Sequence, residues 1–215
     1  MRCLLYYITD RSQFGGDERA RRLALLDKIA EAARTGVDYI QLREKDLNGR
    51  ELELLAREAA AVMRQNSSST RLLINSRVDI ALAVGADGVH LRAGDVAPRE
   101  VARILSVSAG APRASHFIVA ASCHSFEDVS RAESEAVDFV VFAPVFGKSG
   151  ARQASPTGLA ALREACQAKI PVVALGGVTM NNAASCVDAG AAGVAGIRLF
   201  QENKIEDVVR ALRTD

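Results

Sequence analysis

The sequence predicts an α/β fold, a single (β/α)8 barrel of the TIM type spanning residues 1–215. Three observations point to it. Short β-rich runs alternate with longer helical patterns along the whole chain, and the count reaches eight strands and eight helices. Parallel strands joined by helices close into a barrel at eight, whereas an open doubly wound sheet of this length has roughly five or six. No GxGxxG follows the first strand, so the usual signature of the open sheet is lacking.

The first strand is read near Leu4 to Thr9. A helix follows from Asp17 to Thr35, with Leu23, Leu26, Ile29 and Ala33 on one face and Gly36 as its C-terminal cap. Val37 to Leu42 is the second strand, and the helix from Gly49 to Gln65 presents Leu52, Leu55, Ala59 and Val62. Arg71 to Asn75, Gly88 to Leu91, Phe117 to Ser122, Asp138 to Ala143, Pro171 to Leu175 and Gly193 to Ile197 complete the strands. Between them lie a short helix from Val78 to Val84 and one opened by Pro98, where a first turn tolerates proline. Another is capped by Ser125, and further helices start near Thr157 and Thr179. A last helix runs from Ile205 to Arg213.

Composition narrows the function classes. Apolar residues make up 49% and charged residues 25%, and 27 basic against 26 acidic side chains give a net charge of +1. That balance offers no basic excess for nucleic acid and no acidic tail. No apolar run is long enough to span a membrane, and the opening MRCLLYYITD meets Asp10 and Arg11 too soon for a signal peptide. Cys3, Cys123, Cys166 and Cys186 are scattered and form no CxxC, which suits reduced thiols in a cytoplasmic protein. A homo-oligomer stays open.

In such barrels the active site lies at the C-terminal ends of the strands. Gln41, Arg43 and Lys45 end the second strand at a spacing of two, which puts an amide and two cations on the inward face, while Ile40 and Leu42 face the helices. An anion is their natural partner, because Arg matches phosphate geometry. For Lys45 a solvated loop position is the alternative. Gly176 and Gly177 follow the seventh strand, and Gly196, Ile197 and Arg198 end the eighth, where backbone N–H groups often bind phosphate. A plain turn, and a surface pairing for Arg198, are the other readings. Asn75 ends the third strand, and Asp95 follows the fourth as a Mg²⁺ ligand or a simple turn residue. Ser122 and His124 end the fifth, His124 being suited to acid–base work. His90 lies on the fourth strand, where a hydrogen-bonded core role competes with substrate binding. Cys123 next to His124 faces the other way along a strand and makes a poor nucleophile pair.

At these residues the chain resembles the thiamine phosphate synthase family, which also contains the thiazole tautomerases. The matching runs are YYITD at 6–10, QLREK at 41–45, LIN at 73–75, RVD at 77–79, GADGVHL at 85–91, PVF at 144–146 and ALGGV at 174–178. The resemblance implies coupling of an aminopyrimidine pyrophosphate to a thiazole phosphate, with pyrophosphate leaving first. It implies that Gln41, Arg43, Lys45 and Ser122 meet the pyrophosphate, with Arg43, Lys45, Ser122 and His124 closest to the chemistry. It places Asn75 on the substrate, Asp95 on Mg²⁺, and Gly177 with the eighth-strand loop on the thiazole phosphate. Three departures stand out: Ser76 replaces a Mg²⁺ carboxylate, Ala151 replaces a loop lysine for which Lys148 or Arg152 would substitute, and Arg198 replaces a serine. The alternatives to a synthase are a Mg²⁺-independent thiazole tautomerase using His124, and a non-catalytic phosphate-binding barrel.

Overall fold

The structure, a computed structural model, describes residues 2–67, 69–107, 117–135, 137–147 and 156–213. Its elements run β1 (Leu4–Ile8), α1 (Glu18–Arg34), β2 (Tyr39–Leu42), α2 (Gly49–Asn66), β3 (Arg71–Asn75), α3 (Val78–Val84), β4 (Gly88–Leu91) and α4 (Pro98–Val107). They continue with β5 (Ile118–Cys123), α5 (Phe126–Ser134), β6 (Phe139–Phe142), α6 (Gly158–Ala165), β7 (Val172–Ala174), α7 (Ala183–Asp188), β8 (Gly193–Gly196), α8 (Arg198–Gln201) and α9 (Ile205–Leu212). The strands pair in order, all parallel, and β8 returns to β1 to close the barrel. No described helix is long and apolar enough to cross a membrane.

The predicted barrel is therefore present, with local corrections. Among the described residues a ninth helix appears, the single turn α8. The second strand starts at Tyr39 rather than Val37, and α7 starts at Ala183 rather than Thr179. In the latter case the Asn182 side chain accepts from the Thr179 N–H and holds a turn before the helix. Of the face assigned to α1, Ile29 and Ala33 are buried, Leu26 is partly buried and Leu23 is exposed, while Leu25 and Ala32 join the buried set. Gly36 does adopt the left-handed conformation expected of a cap.

Strand parity divides the core in two. Leu5, Tyr7, Ile40, Leu42, Leu72, Ile74, Val89 and Leu91 point outward and pack under the helices. Tyr6, Ile8, Leu73, Ala120, Phe139, Val141, Val173 and Ala195 fill the barrel interior. Tyr6, Tyr39 and Phe139 form an aromatic plug there, with Phe139 centred 5.5 Å from Tyr6 and 4.8 Å from Tyr39. A packed interior leaves the open end above it for function.

At the opposite rim the chain repeats one device three times. Asp38, Asp87 and Asp138 each stand just before an even-numbered strand. Their carboxylates accept the N–H of Leu5 at 2.8 Å, Leu72 at 2.8 Å and Val119 at 2.7 Å, each on the preceding strand. Asp38 also receives Arg213 from the chain's end, and Arg213 Nη1 donates to the Gly36 carbonyl at 2.6 Å. Asp87→Ala is expected to strand the Leu72 N–H and lower unfolding free energy by about 1–3 kcal/mol, while Asp87→Asn, which keeps an acceptor, loses less. Urea unfolding of the two variants checks the order.

Candidate active site

The mouth is organised from Glu44, a residue to which the sequence reading gave no role. Its carboxylate is 5% exposed and accepts from Thr9 Oγ1 at 2.6 Å, from the Arg11 backbone N–H at 2.9 Å and from Arg11 Nη1 at 3.2 Å. The Arg11 guanidinium, itself buried, also bonds both oxygens of Asp46 at 2.7 and 2.9 Å and Glu18 at 2.7 Å. Hydrogen bonds to Asp46 first, then to Glu18 and Glu44, outweigh burial and push the Arg11 pKa up; the Arg11 bond likewise pulls Asp46 down. Thr9 is fully buried, and its hydroxyl also accepts the Arg43 backbone N–H at 3.0 Å. A single hydroxyl thus ties the ends of β1 and β2.

This network separates the three residues predicted to share a face. Gln41, still within β2, is buried and donates through Nε2 to Asn75 Oδ1 at 3.0 Å. Arg43, one residue beyond β2, is half-buried and forms no ion pair with a described residue. Burial lowers its pKa, Asp10 and Glu44 oppose this, and Arg92 adds to it. Lys45 lies past the strand on an exposed turn. Gln41 is thus held within the strand, whereas Arg43 and Lys45 lie beyond its end.

Asn75 continues the row by donating through Nδ2 to Ser76 Oγ at 3.0 Å. Ser76 holds a left-handed φ of 62°, which is uncommon outside glycine and more tolerable for Asn or Asp. Asp95 accepts from the Arg92 backbone N–H at 2.8 Å and from Arg92 Nη2 at 3.0 Å, with a further hydrogen bond from Ser76. Burial raises the Asp95 pKa, but these hydrogen bonds outweigh it and keep the carboxylate below its ordinary value. Asp95 is thus a turn residue and an ion-pair partner of Arg92. Both line a cleft that also holds Ser122 and Arg131.

His90 is 3% exposed inside the barrel, with Nδ1 3.2 Å from the Tyr6 hydroxyl and Nε2 2.8 Å from Ser122 Oγ. Burial, then the charge of Arg43, push its pKa down to about 3, with Asp95 opposing. The hydrogen-bonded core role weighed for His90 is present. His124 is exposed at the end of β5, and its Nδ1 lies 2.6 Å from the Ala143 carbonyl, an acceptor only, so Nδ1 carries the proton. Cys123 faces the outer core, where burial pushes its thiol up to about 12.

Gly176 and Gly177 have positive φ values of 97° and 65°. A Cβ on Gly176 would lie 2.7 Å from Pro144 Cα, and one on Gly177 2.9 Å from the carbonyl oxygens of Phe146 and Gly147. Packing of the loop after β6 against that after β7 already requires glycine here, so the pair is no sign of an anion by itself. Gly196 is buried at the end of β8, Ile197 is half-buried, and Arg198 opens α8 and is exposed. Lys148, Ala151, Arg152 and His116 lie outside the described residues.

Fold and mouth define the class: a barrel enzyme whose polar groups converge at the C-terminal strand ends. Comparison with known proteins gives the family. The family model for thiamine monophosphate synthase matches residues 5–200, and the chain belongs to that family. It is 37% identical over 214 residues to a thiamine-phosphate synthase of Methanoculleus marisnigri, covering 97% of this chain and 93% of the relative. It is 35% identical over 215 residues to that of Caldanaerobacter subterraneus subsp. tengcongensis, again covering 97% and 93%. Thiamine phosphate pyrophosphorylase from Pyrococcus furiosus superposes with a TM-score of 0.78 at 29% identity, covering 97% of this chain and 93% of that one.

Two outcomes follow. Glu44→Ala is expected to lower unfolding free energy by about 3–5 kcal/mol, since it leaves Arg11 buried and short of a partner. Arg43→Ala, which breaks no ion pair, should cost about 1 kcal/mol or less. Urea unfolding separates the two. Because the His90 pKa is depressed below the unfolded value of about 6.5, its contribution to stability is complete above that pH. It is lost as pH falls toward 3, by up to about 1.4 kcal/mol per pH unit. Unfolding curves from pH 7 to 4 should show this slope and lose it in His90→Gln.

Proposed function

We propose that this chain is a thiamine phosphate synthase, coupling hydroxymethylpyrimidine pyrophosphate to thiazole phosphate with release of pyrophosphate. The observation that carries the reading is Arg43, a half-buried guanidinium without an ion-pair partner among the described residues, set with Gln41, Asn75 and Ser122 at one mouth. The names of the relatives support it, and they do not favour a tautomerase or a non-catalytic barrel. The substrates are small phosphorylated molecules, and the compartment in this reading is the cytoplasm.

In this reading Arg43 and Lys45 meet the pyrophosphate, Ser122 donates to one of its oxygens, and Asn75, held by Gln41, and His90 stand on the pyrimidine side. The carbon–oxygen bond to the pyrophosphate breaks with both electrons leaving on oxygen, and the thiazole nitrogen lone pair closes the new bond to carbon. Arg43 stabilises the charge that builds on the leaving group. Gly176, Gly177, Gly196, Ile197 and Arg198 form the thiazole-phosphate side, with Lys148 or Arg152 in place of the loop lysine. His124 keeps Nε2 open toward solvent as an acceptor.

Mg²⁺ is implied by the family resemblance, and the donor set fits it only as a one-carboxylate site. Asp95 and the Ser76 hydroxyl would hold it, and Arg92 competes for Asp95. Among the described residues no three His, Cys, Asp or Glu side chains gather as a metal site would need. One carboxylate with substrate phosphate oxygens suffices for Mg²⁺, at modest affinity. When bound, the ion would supply further charge neutralisation for pyrophosphate.

The decisive assay mixes the purified chain with both substrates across a Mg²⁺ series. Thiamine phosphate is expected, with a raised Mg²⁺ requirement that Ser76→Asp lowers, Asp also being better tolerated at a left-handed φ. Arg43→Ala should weaken pyrophosphate binding by about tenfold or more, the loss of a charge-assisted hydrogen bond worth roughly 1.5–3 kcal/mol. Chelator-resistant isomerisation of a thiazole carboxylate phosphate, lost in His124→Ala and without coupling at any Mg²⁺ level, would install the tautomerase instead.

A further inference from the structure

Tyr6 is fully buried in the barrel interior, yet it carries a hydroxyl that needs a partner. Among the described residues that hydroxyl meets one polar atom, His90 Nδ1, at 3.2 Å. The opposite ring nitrogen, Nε2, lies 2.8 Å from Ser122 Oγ, which has no other side-chain or loop partner among the described residues. The three groups form a chain from the aromatic plug to the mouth.

Two neutral proton arrangements are possible. If Nδ1 carries the proton, it donates to the Tyr6 oxygen. The Tyr6 proton is then buried with no acceptor, and Ser122 spends its own proton inward on Nε2. If Nε2 carries the proton, Tyr6 donates to Nδ1, Nε2–H donates to Ser122 Oγ, and every buried donor is satisfied. An orphaned buried donor is costly, so the second arrangement prevails. A doubly protonated ring is opposed by burial and by the nearby charge of Arg43.

We propose that Tyr6 and His90 are positioning residues that fix the Nε2–H tautomer and thereby turn the Ser122 hydroxyl proton outward, toward an anionic oxygen of the substrate's diphosphate. The assignment of that diphosphate to Ser122 rests on the synthase reading. Accepting a hydrogen bond on Oγ polarises the hydroxyl and makes it the better donor. The relay therefore favours a deprotonated phosphate oxygen and disfavours any ligand group that can only donate. Neither Tyr6 nor His90 needs to touch the substrate for this.

Two measurements test it. Nitrogen-15 spectra of the labelled wild-type protein, with the His90 signals identified by their loss in His90→Gln, should show a protonated Nε2 and an unprotonated Nδ1. The chain has only 3 histidines, so the spectrum is simple. Titration calorimetry with inorganic pyrophosphate should show Tyr6→Phe weakened by about fivefold and Ser122→Ala by about tenfold. The double variant should be no weaker than Ser122→Ala alone, since Tyr6 acts only through that hydroxyl. A merely structural Tyr6 would give losses that multiply, and that result or an Nδ1–H ring overturns the relay. Full affinity in Ser122→Ala overturns instead the placing of the diphosphate on which the proposal rests.

Discussion

A carboxylate taken out of water is unstable unless donors and charge replace its hydration. Glu44 is such a group, and the replacements come from a buried hydroxyl, a backbone N–H and a buried guanidinium. Thr9 follows β1, Arg11 lies in the turn after it, and Glu44 follows β2, so satisfying one charge fixes the upper ends of two strands. Arg43 sits between Leu42, anchored in the outer core, and Glu44, anchored in this network. Its backbone is held on both sides, and its half-buried side chain makes no ion pair with a described residue. An exposed ion pair would contribute little here; burial gives this one its consequence.

Parity carries the order set at β1 and β2 around the barrel. The pleat that sends Ile40 and Leu42 into the outer core sends Gln41 inward, and the β2–β3 and β3–β4 registers bring Asn75 and His90 into the same interior. Ser122 follows on β5 opposite Val141, an interior residue. A slip of one residue would exchange these sets and expose the outer apolar face. The polar row at the mouth and the aromatic plug beneath it are therefore consequences of one pairing scheme.

How legible this was in the chain follows from which signals are local. Strands β3 and β4 and helix α3 begin and end where the sequence places them, because Asn75, Val84 and Leu91 close short runs bounded by Gly or polar residues. The placement of Gln41, Asn75 and Ser122 at the mouth is legible because inward polar side chains at strand ends stand out against apolar neighbours. Glu44 leaves no local signal because its partners, Thr9 and Arg11, are 35 and 33 residues away. In the sequence Tyr6 is only a strand residue, since its contact with His90, 84 residues on, is what gives the hydroxyl a role. The rim carboxylates did leave a local trace, an Asp at the foot of each of three even strands in VDY, ADG and VDF, which a search for repeats would have caught. Leu23 misled because α1 has other apolar positions one and two residues on, and the barrel selects the face of Leu25 and Ile29.

The electrostatics of the mouth follow from the same geometry. Burial costs Arg43 part of its hydration and disfavours its charge, and the nearby Arg92 adds to that. A half-buried guanidinium raises the energy of the empty site, and an anion that enters relieves that penalty. His90 adds no charge, since burial and Arg43 keep it neutral. On the other side of the balance stand Asp95, engaged by Arg92 and Ser76, and Asp10. With a hydroxyl at Ser76 in place of a carboxylate, the mouth carries one negative charge fewer than the family pattern. That charge would have drawn a dication and repelled a pyrophosphate; in the synthase reading proposed above, more of the anion's neutralisation then passes to the guanidinium groups, with Arg43, fixed by Glu44, the one proposed to take it.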